Sequence, residues 1–292
     1  MKVTAYPADI RGVPARLVCF PPSSYYSVDN NTRTRTPRAG GFKLTRDWMD
    51  NGNRLLATGN IAGAQALTVN LFRSERMFMH VLVERMRGRG LQVDSVYAFR
   101  KLEADSTAVR VAVQHTPMQA VLDQMMKESD NLNAEAVLWS IGRQVSDGRP
   151  VTAKDGLGQV KALIAKLGLD ARDYRLADGC GLSHYDYLSP RLLVETLKYA
   201  YARTSIFGKL YKSLPVSGMD GTLKYRLGRG TPCYRRVHAK TGSYTGVNCL
   251  AGYLQTAGGH WLAFAIMNQN VMSGRASRIL QDSICLQLVG VH

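Results

Sequence analysis

Apolar positions recur along the chain with two different periods, and the change between them divides it. Up to about residue 115 the signals are short and strand-like. The runs Ala15 to Phe20 and Gln65 to Leu71 are bounded by Pro and Gly, as half-buried strands are. Met77, Phe78, Val81, Leu82 and Met86 fall at helical spacing, and Gly88 and Gly90 close that element. Val109 to Val113 alternates again like a strand. At Thr116-Pro117 the pattern turns helical, with Thr predicted as N-cap, Pro as the first helical residue, and Met118, Val121, Leu122 and Met125 as the apolar face.

Beyond that point helices are predicted over Asn133 to Val145 and over Ala153 to Leu167, the second ended by Gly168. Ser189-Pro190 starts another, carrying Leu192, Leu193, Leu197 and Tyr201. Two strand-like runs follow, Tyr244 to Gln255 and Trp261 to Met267, joined by the hairpin turn Thr256 to Gly259. Ser273 to Leu288 closes the chain as a helix. Helices followed by an antiparallel hairpin and a last packing helix make an α+β fold, layered in the α/β manner. The expected division is a β-rich region over residues 1–115 and a second domain over 116–292.

Composition narrows the picture. The 292 residues suffice for one large domain or two unequal ones, and 45% hydrophobic with 21% charged residues excludes global disorder. The longest apolar run, Trp261 to Met267, is far short of the roughly 20 residues needed to span a bilayer, so no membrane span is expected. The 5 cysteines lie far apart with no C-x-x-C pair, against a disulfide framework or a zinc module. His80, His115, His184, His238, His260 and His292 show no ligand-like spacing, so neither a metal nor a cofactor is predicted. The net charge of +16 favours anionic partners: nucleic acid, acidic lipid or an anionic wall polymer. A solvated basic surface is the plain alternative. The patches Arg33 to Arg38 and Arg85 to Arg89 are short, lack interleaved aromatics, and accompany no nucleic-acid motif. The first residues, Met1 to Pro7, contain no apolar core of a secretory signal. The expectation is either a cytoplasmic protein, or a mature chain or fragment with upstream sequence.

Three short motifs carry candidate chemistry. Ser129-Asp130-Asn131 follows the Pro117 helix and on spacing alone reads as a helix cap. Lys240-Thr241-Gly242-Ser243 lies between the basic strand Tyr234 to Ala239 and the hairpin. Asp178-Gly179-Cys180-Gly181-Leu182-Ser183 is a glycine-rich loop without the Gly-Lys-Ser/Thr ending of a phosphate loop. Together, Ser-x-Asn ahead of Lys-Thr-Gly is the order of active-site serine penicillin-interacting enzymes. An Asn amide donates to an acyl carbonyl, and a Ser hydroxyl relays a proton. A Lys ammonium with a neighbouring Thr hydroxyl holds a terminal carboxylate. Gly leaves room for a peptide to add along the strand edge.

The residues around these motifs extend the likeness. Lys127 to Glu135 resembles the S-D-N-x-x-A-E stretch of the D-alanyl-D-alanine carboxypeptidase/endopeptidase family, the class C low-molecular-mass penicillin-binding proteins. Asp178 to Ser183 resembles that family's D-G-S-G-L-S loop, with Cys180 where Ser is usual. Met219 to Leu223 is similar to its D-G-T-L turn, and Lys240 to Ser243, continued by Asn248 to Tyr253, to its K-T-G strand. The resemblance implies a serine β-lactamase/penicillin-binding-protein transpeptidase-like domain, incomplete here, with residues 1–115 as the β-rich inserted region. It implies Ser129 and Lys240 as catalytic residues, and Asn131, Thr241, Gly242 and Ser243 as substrate-binding ones. Peptidoglycan stem peptides and β-lactams are the implied ligands, in a periplasmic or extracytoplasmic setting, with no nucleic-acid partner.

One expected part is missing. The family's nucleophile is the Ser of an S-x-x-K motif, and no serine of this chain has Lys three positions on. Ser205 to Lys209 is spaced by four and follows the S-D-N motif. The expectation is therefore the C-terminal portion of such an enzyme, inactive alone, or a non-catalytic module that binds peptidoglycan peptides. His238, two before Lys240, is placed on its strand face, and Cys180 and Cys249 are expected as small core fillers.

Overall fold

A computed structural model describes residues 1–94, 109 and 111–291. The chain forms two compact units, Met1–Val109 and Arg110–His292. No helix among the described residues is long and apolar enough to cross a membrane.

The first unit is built on β1 (Lys2–Tyr6), β2 (Arg16–Phe20), β3 (Ser27–Thr34), β4 (Lys43–Arg46), β5 (Arg54–Ile61) and β6 (Gln65–Thr68), followed by helix α1 (Ser74–Gly88). One antiparallel sheet has the order β2-β1-β6. The other runs β3-β5-β4, with β3 parallel and β4 antiparallel to β5. Alternation explains which faces turn inward: Leu55, Ala57 and Ile61 of β5 are fully buried between exposed or half-buried neighbours. Two threonines are buried with them and accept backbone N–H groups, Thr32 Oγ1 from Ala15 at 2.9 Å and Thr34 Oγ1 from Ala8 at 3.1 Å. Gln65 to Leu71 yields only the four residues of β6. In the run Val109 to Val113, Arg110 lies outside the described residues. The rest is not a strand: Val109 is 84% and Val111 95% exposed, and alternation without a pairing edge does not make one.

The second unit alternates helices with one sheet. Its elements are α2 (Met118–Lys127), α3 (Asn131–Arg143), α4 (Ala153–Lys166), α5 (Pro190–Tyr201), α6 (Thr204–Ser213), β7 (Val237–Tyr244), β8 (Val247–Gln255), β9 (Trp261–Asn268) and α7 (Gly274–Val289). The sheet is antiparallel in the order β7-β8-β9. Val237, Ala239, Leu250 and Leu254 pack one of its faces against Cys285 and Val289 of α7. Tyr253 points to the other face, where its hydroxyl donates to Leu197 O of α5 at 2.7 Å. The fold is α+β, as the order of elements predicts.

Helix starts follow their caps. Ser189 Oγ accepts Leu192 N–H, and Ser273 Oγ accepts Ala276 N–H, both at 3.2 Å. At α2 the expectation is off by one: Pro117 is extended (φ −58°, ψ 135°) and stands outside the helix, and Thr116 makes no cap bond. Near the sheet, Arg235 at φ +63° forms part of a turn, so the basic strand begins at Val237 and not at Tyr234. Tyr244 then ends β7, and the next strand starts only at Val247. Helices α3 and α4 meet backbone to backbone, since a Cβ on Gly142 would stand 2.8 Å from Gly156 N.

Candidate active site

The site begins where α2 ends. Asp130 N–H donates back to Met125 O at 3.2 Å, which wraps the chain around the helix terminus. The residue that makes this turn is Ser129, in the left-handed region at φ +57°. Glycine is usual at such a position, and an L-residue there costs on the order of 1–2 kcal/mol. Asp130 then starts α3 as its N-cap, its Oδ1 accepting Asn133 N–H at 2.9 Å. The cap reading of Ser-Asp-Asn holds: Asp130 caps α3 directly after Ser129.

Lys240 comes from the middle of β7. Its ammonium donates to Ser129 Oγ at 2.6 Å and to Thr241 O at 2.6 Å. Burial lowers its pKa, because the desolvated ammonium is the penalised form. A cation held in this way is poorly hydrated and available to an anionic ligand. Residues 111 positions apart thus meet in one contact. Thr241 Oγ1 bonds Thr222 Oγ1 at 2.8 Å, which brings the Asp220-Gly221-Thr222-Leu223 turn to the same strand. Gly242 and Ser243 are exposed, and Ser243 Oγ donates to Asn248 Oδ1 at 3.1 Å. Asn131, the first residue of α3, is exposed, and among the described residues no hydrogen bond ties it to Ser129 or Lys240.

Beside the strand lies an open cavity of about 440 Å³ lined by Thr222, Tyr225, Arg226, Thr241, Ser243 and Arg278, among others. Its lining includes two guanidinium groups and no carboxylate, so it favours an anion. Arg226 is engaged with Asp282 at 2.6 Å outside the cavity lining. The lining residues from the turn and from α7 were not predicted as site residues. Thr222 was visible only as part of the D-G-T-L likeness, and single arginines on a helix give no signal.

The glycine-rich loop has its own bracing. Asp178 accepts Gly181 N–H at 2.6 Å and Ser183 N–H at 2.7 Å. Glu135 of α3 reaches across and accepts Gly179 and Cys180 N–H at 2.8 and 2.9 Å with one oxygen. Glu135, Asp178 and Cys180 place potential ligand atoms within 4.8 Å of one another. Both carboxylates are already occupied by the loop's amides, so the cluster reads as loop bracing. Burial raises the Cys180 and Cys249 thiol pKa values, away from reactivity. His238 stacks on Tyr211, ring centroids 3.8 Å apart at 14°, and burial lowers its pKa. His184 sits edge-on to Tyr244. His292 lies outside the described residues.

Comparison with known proteins places the chain in a family. Over residues 1–288 the chain matches the D-Ala-D-Ala carboxypeptidase 3 (S13) family. It is 31% identical over 300 residues to a D-alanyl-D-alanine carboxypeptidase of Actinomadura sp. (strain R39), covering 98% of this chain and 54% of that protein. It is 35% identical over 184 residues to carboxypeptidase DacB of Mycolicibacterium smegmatis, covering 60% of this chain and 38% of that one. Among solved structures, penicillin binding protein 4 (dacB) from Haemophilus influenzae superposes with a TM-score of 0.69 at 22% identity, over 99% of this chain and 66% of that one. That likeness is one of fold. The chain spans about half the length, or less, of these curated relatives. With the Ser129–Lys240 contact in place and the match running through both units, the chain belongs to the D-Ala-D-Ala carboxypeptidase 3 (S13) family.

Proposed function

We propose that this chain carries the recognition half of a serine-type D-Ala-D-Ala peptidase site and grips peptidoglycan stem peptides by their D-Ala-D-Ala terminus. The observation that carries the reading is the 2.6 Å contact between Lys240 Nζ and Ser129 Oγ. Lys240 and Thr241 hold the terminal carboxylate, and the cation-lined cavity beside Thr241 supplies a matching field. Asn131 donates to the acyl carbonyl, and its exposed position suits that role. Gly242 and Ser243 offer the edge of β7 for the peptide to add as a strand. Were a nucleophile present beside it, Ser129 would relay a proton between Lys240 and the scissile nitrogen.

The full reaction of this lineage has two steps. A serine hydroxyl attacks the penultimate D-Ala carbonyl, the last D-Ala leaves as its amine takes a proton, and water then hydrolyses the acyl-serine ester. No serine of this chain stands three residues before a lysine. The chain alone therefore binds without turnover, because losing the nucleophile of such an enzyme costs many orders of magnitude in rate. Residues 1–115 serve as the inserted region and 116–292 as the peptidase part. An extracytoplasmic setting is where such a substrate is found.

The test is labelled penicillin and a D-Ala-D-Ala peptide added to the whole chain. Reversible peptide binding, lost in Lys240→Ala, with no covalent penicillin adduct, supports the reading. A penicillin adduct mapped to any serine overturns the claim of inactivity. An unsaturable peptide titration overturns the claim of recognition.

A further inference from the structure

Three side-chain contacts around the site form a closed circuit. Ser129 meets Lys240 at 2.6 Å; one residue on, Thr241 meets Thr222 at 2.8 Å; two residues back from Thr222, Asp220 meets Lys127 at 2.6 Å; and Lys127 lies two residues before Ser129. Between Asp220 and Thr222, Gly221 lies so close to α2 that a Cβ there would stand 2.7 Å from Lys127 O. The turn is also anchored at its far end. Asp220 Oδ1 accepts Val216 N–H at 2.9 Å, and Val216 bridges to His238 of β7. Lys127 Nζ makes a second bond to Leu214 O at 3.0 Å.

From this circuit we infer that Asp220 and Lys127 are positioning residues: their ion pair, with Gly221 and Thr222, is a spacer that sets the distance between Ser129 and Lys240. The inference rests on the proposed recognition of D-Ala-D-Ala peptides for its consequence, and on geometry alone for its existence. Ser129 has no other side-chain bond among the described residues to hold it in its left-handed turn facing Lys240. The Lys127 and Asp220 side chains are 24% and 42% exposed, so their pair is partly shielded from water and is more than a loose surface contact. Each of the three contacts joins a different pair of segments: α2 to the turn, the turn to β7, and β7 back to the end of α2. A rigid triangle of this kind transmits a displacement at Asp220 to the hydroxyl of Ser129. Misplacing a binding group by about 1 Å costs as much as a hundredfold in function.

The readout is the pH titration of the Lys240 side chain by NMR, recorded with peptide affinity and melting temperature for each variant. Asp220→Asn removes the charge while keeping an acceptor for Val216, and Lys127→Met removes it from the other side. Each is expected to let the Ser129 turn swing away, hydrate Lys240, and move its titration up toward the ordinary lysine value. Peptide binding falls roughly tenfold or more in both. Combining the two adds little to either alone, because they cut the same link. Lys127→Arg, which keeps the ion pair, restores both readouts. Variants that melt earlier but leave the Lys240 titration and the affinity unchanged overturn the inference. Should the wild-type chain bind no peptide, the proposed recognition fails, and the Lys240 titration still decides whether the spacer exists. Should Asp220→Asn not fold, Lys127→Met makes the same measurement.

Discussion

Ser129 offers a measurement in which strain and hydrogen bonding separate. The residue lies at φ +57° with its Oγ on the Lys240 ammonium. Replacing it by Ala or by Gly removes the hydroxyl in both cases. Only Gly also relieves the left-handed backbone, since Ala retains the Cβ that clashes with the neighbouring carbonyl. The lost bond therefore cancels in the comparison, and the difference between the variants reads the strain. A left-handed L-residue costs about 1–2 kcal/mol, and the extra freedom of an unfolded Gly returns part of that, so Ser129→Gly should be more stable than Ser129→Ala by about 1 kcal/mol. In a unit of this size that is roughly 2–4 °C in melting temperature. Calorimetry of the two variants at one pH gives the number, and peptide titration should find both equally impaired. An Ala variant as stable as the Gly variant would refute the strain argument. An Ala variant that binds peptide like the wild type would show that the hydroxyl is idle.

Other expectations follow from the same geometry. Lys240→Met should raise the melting temperature at neutral pH, since a desolvated ammonium with a lowered pKa opposes folding below that pKa. The unfolded chain binds the proton more tightly, so the wild-type deficit relative to Lys240→Met should shrink as pH rises from the lowered pKa toward the ordinary lysine value; melting curves across that window check the sign. Glu135→Leu strands the N–H groups of Gly179 and Cys180, and with one of them open to water the cost is about 2–3 kcal/mol, against about 1 kcal/mol for Glu135→Gln; urea unfolding, with hydrogen exchange at those two amides, separates the cases. Burial pushes the Cys233 thiol up to about 11 and the Cys285 thiol up to about 12, so iodoacetamide at pH 8 should spare both in the native chain and label both in urea.

Where a local rule acts alone, the sequence was legible. Ser189-Pro190 and Ser273 start their helices as written, and Gly168 at φ +74° follows the helix that ends at Lys166. Where two rules compete, it was not. Thr116-Pro117 has the look of a cap and a first turn, yet the extended ψ at Pro117 delays the helix to Met118. Val109 to Val113 alternates, yet among the described residues no strand pairs with it. The parallel pairing of β3 with β5 joins segments whose order in the chain gives no cue to direction. Of the site, the residue types and their order could be read, but not the contacts. No periodicity tells that Glu135 reaches 44 residues along the chain to Gly179, or that Thr222 completes the surroundings of Thr241.

Three departures from local preference lie around one contact. The turn after α2 would be easier with Gly, and it has Ser129. The middle of a packed strand would be easier with an uncharged residue, and it has Lys240, desolvated and bonded to that serine. The D-G-T turn comes against α2 so closely that only Gly221 fits, although a looser loop would cost less. Each choice opposes stability when taken singly; Ser129 and Lys240 answer each other through a direct contact, and Gly221 packs on Lys127, two residues before Ser129. Other exceptions occur elsewhere, as at Leu227 with φ +51° and at Gly59, whose Cβ would stand 2.0 Å from Gly41 O, but the three at the site are linked through Ser129–Lys240, Thr241–Thr222 and Gly221 on Lys127. A surface under no functional demand has no reason to gather mutually dependent exceptions from points as far as 111 residues apart in the chain. The proposed recognition site therefore does not require the nucleophile. It needs only that the strain at Ser129, the desolvation of Lys240 and the closeness at Gly221 be coupled, so that relieving one loosens the others.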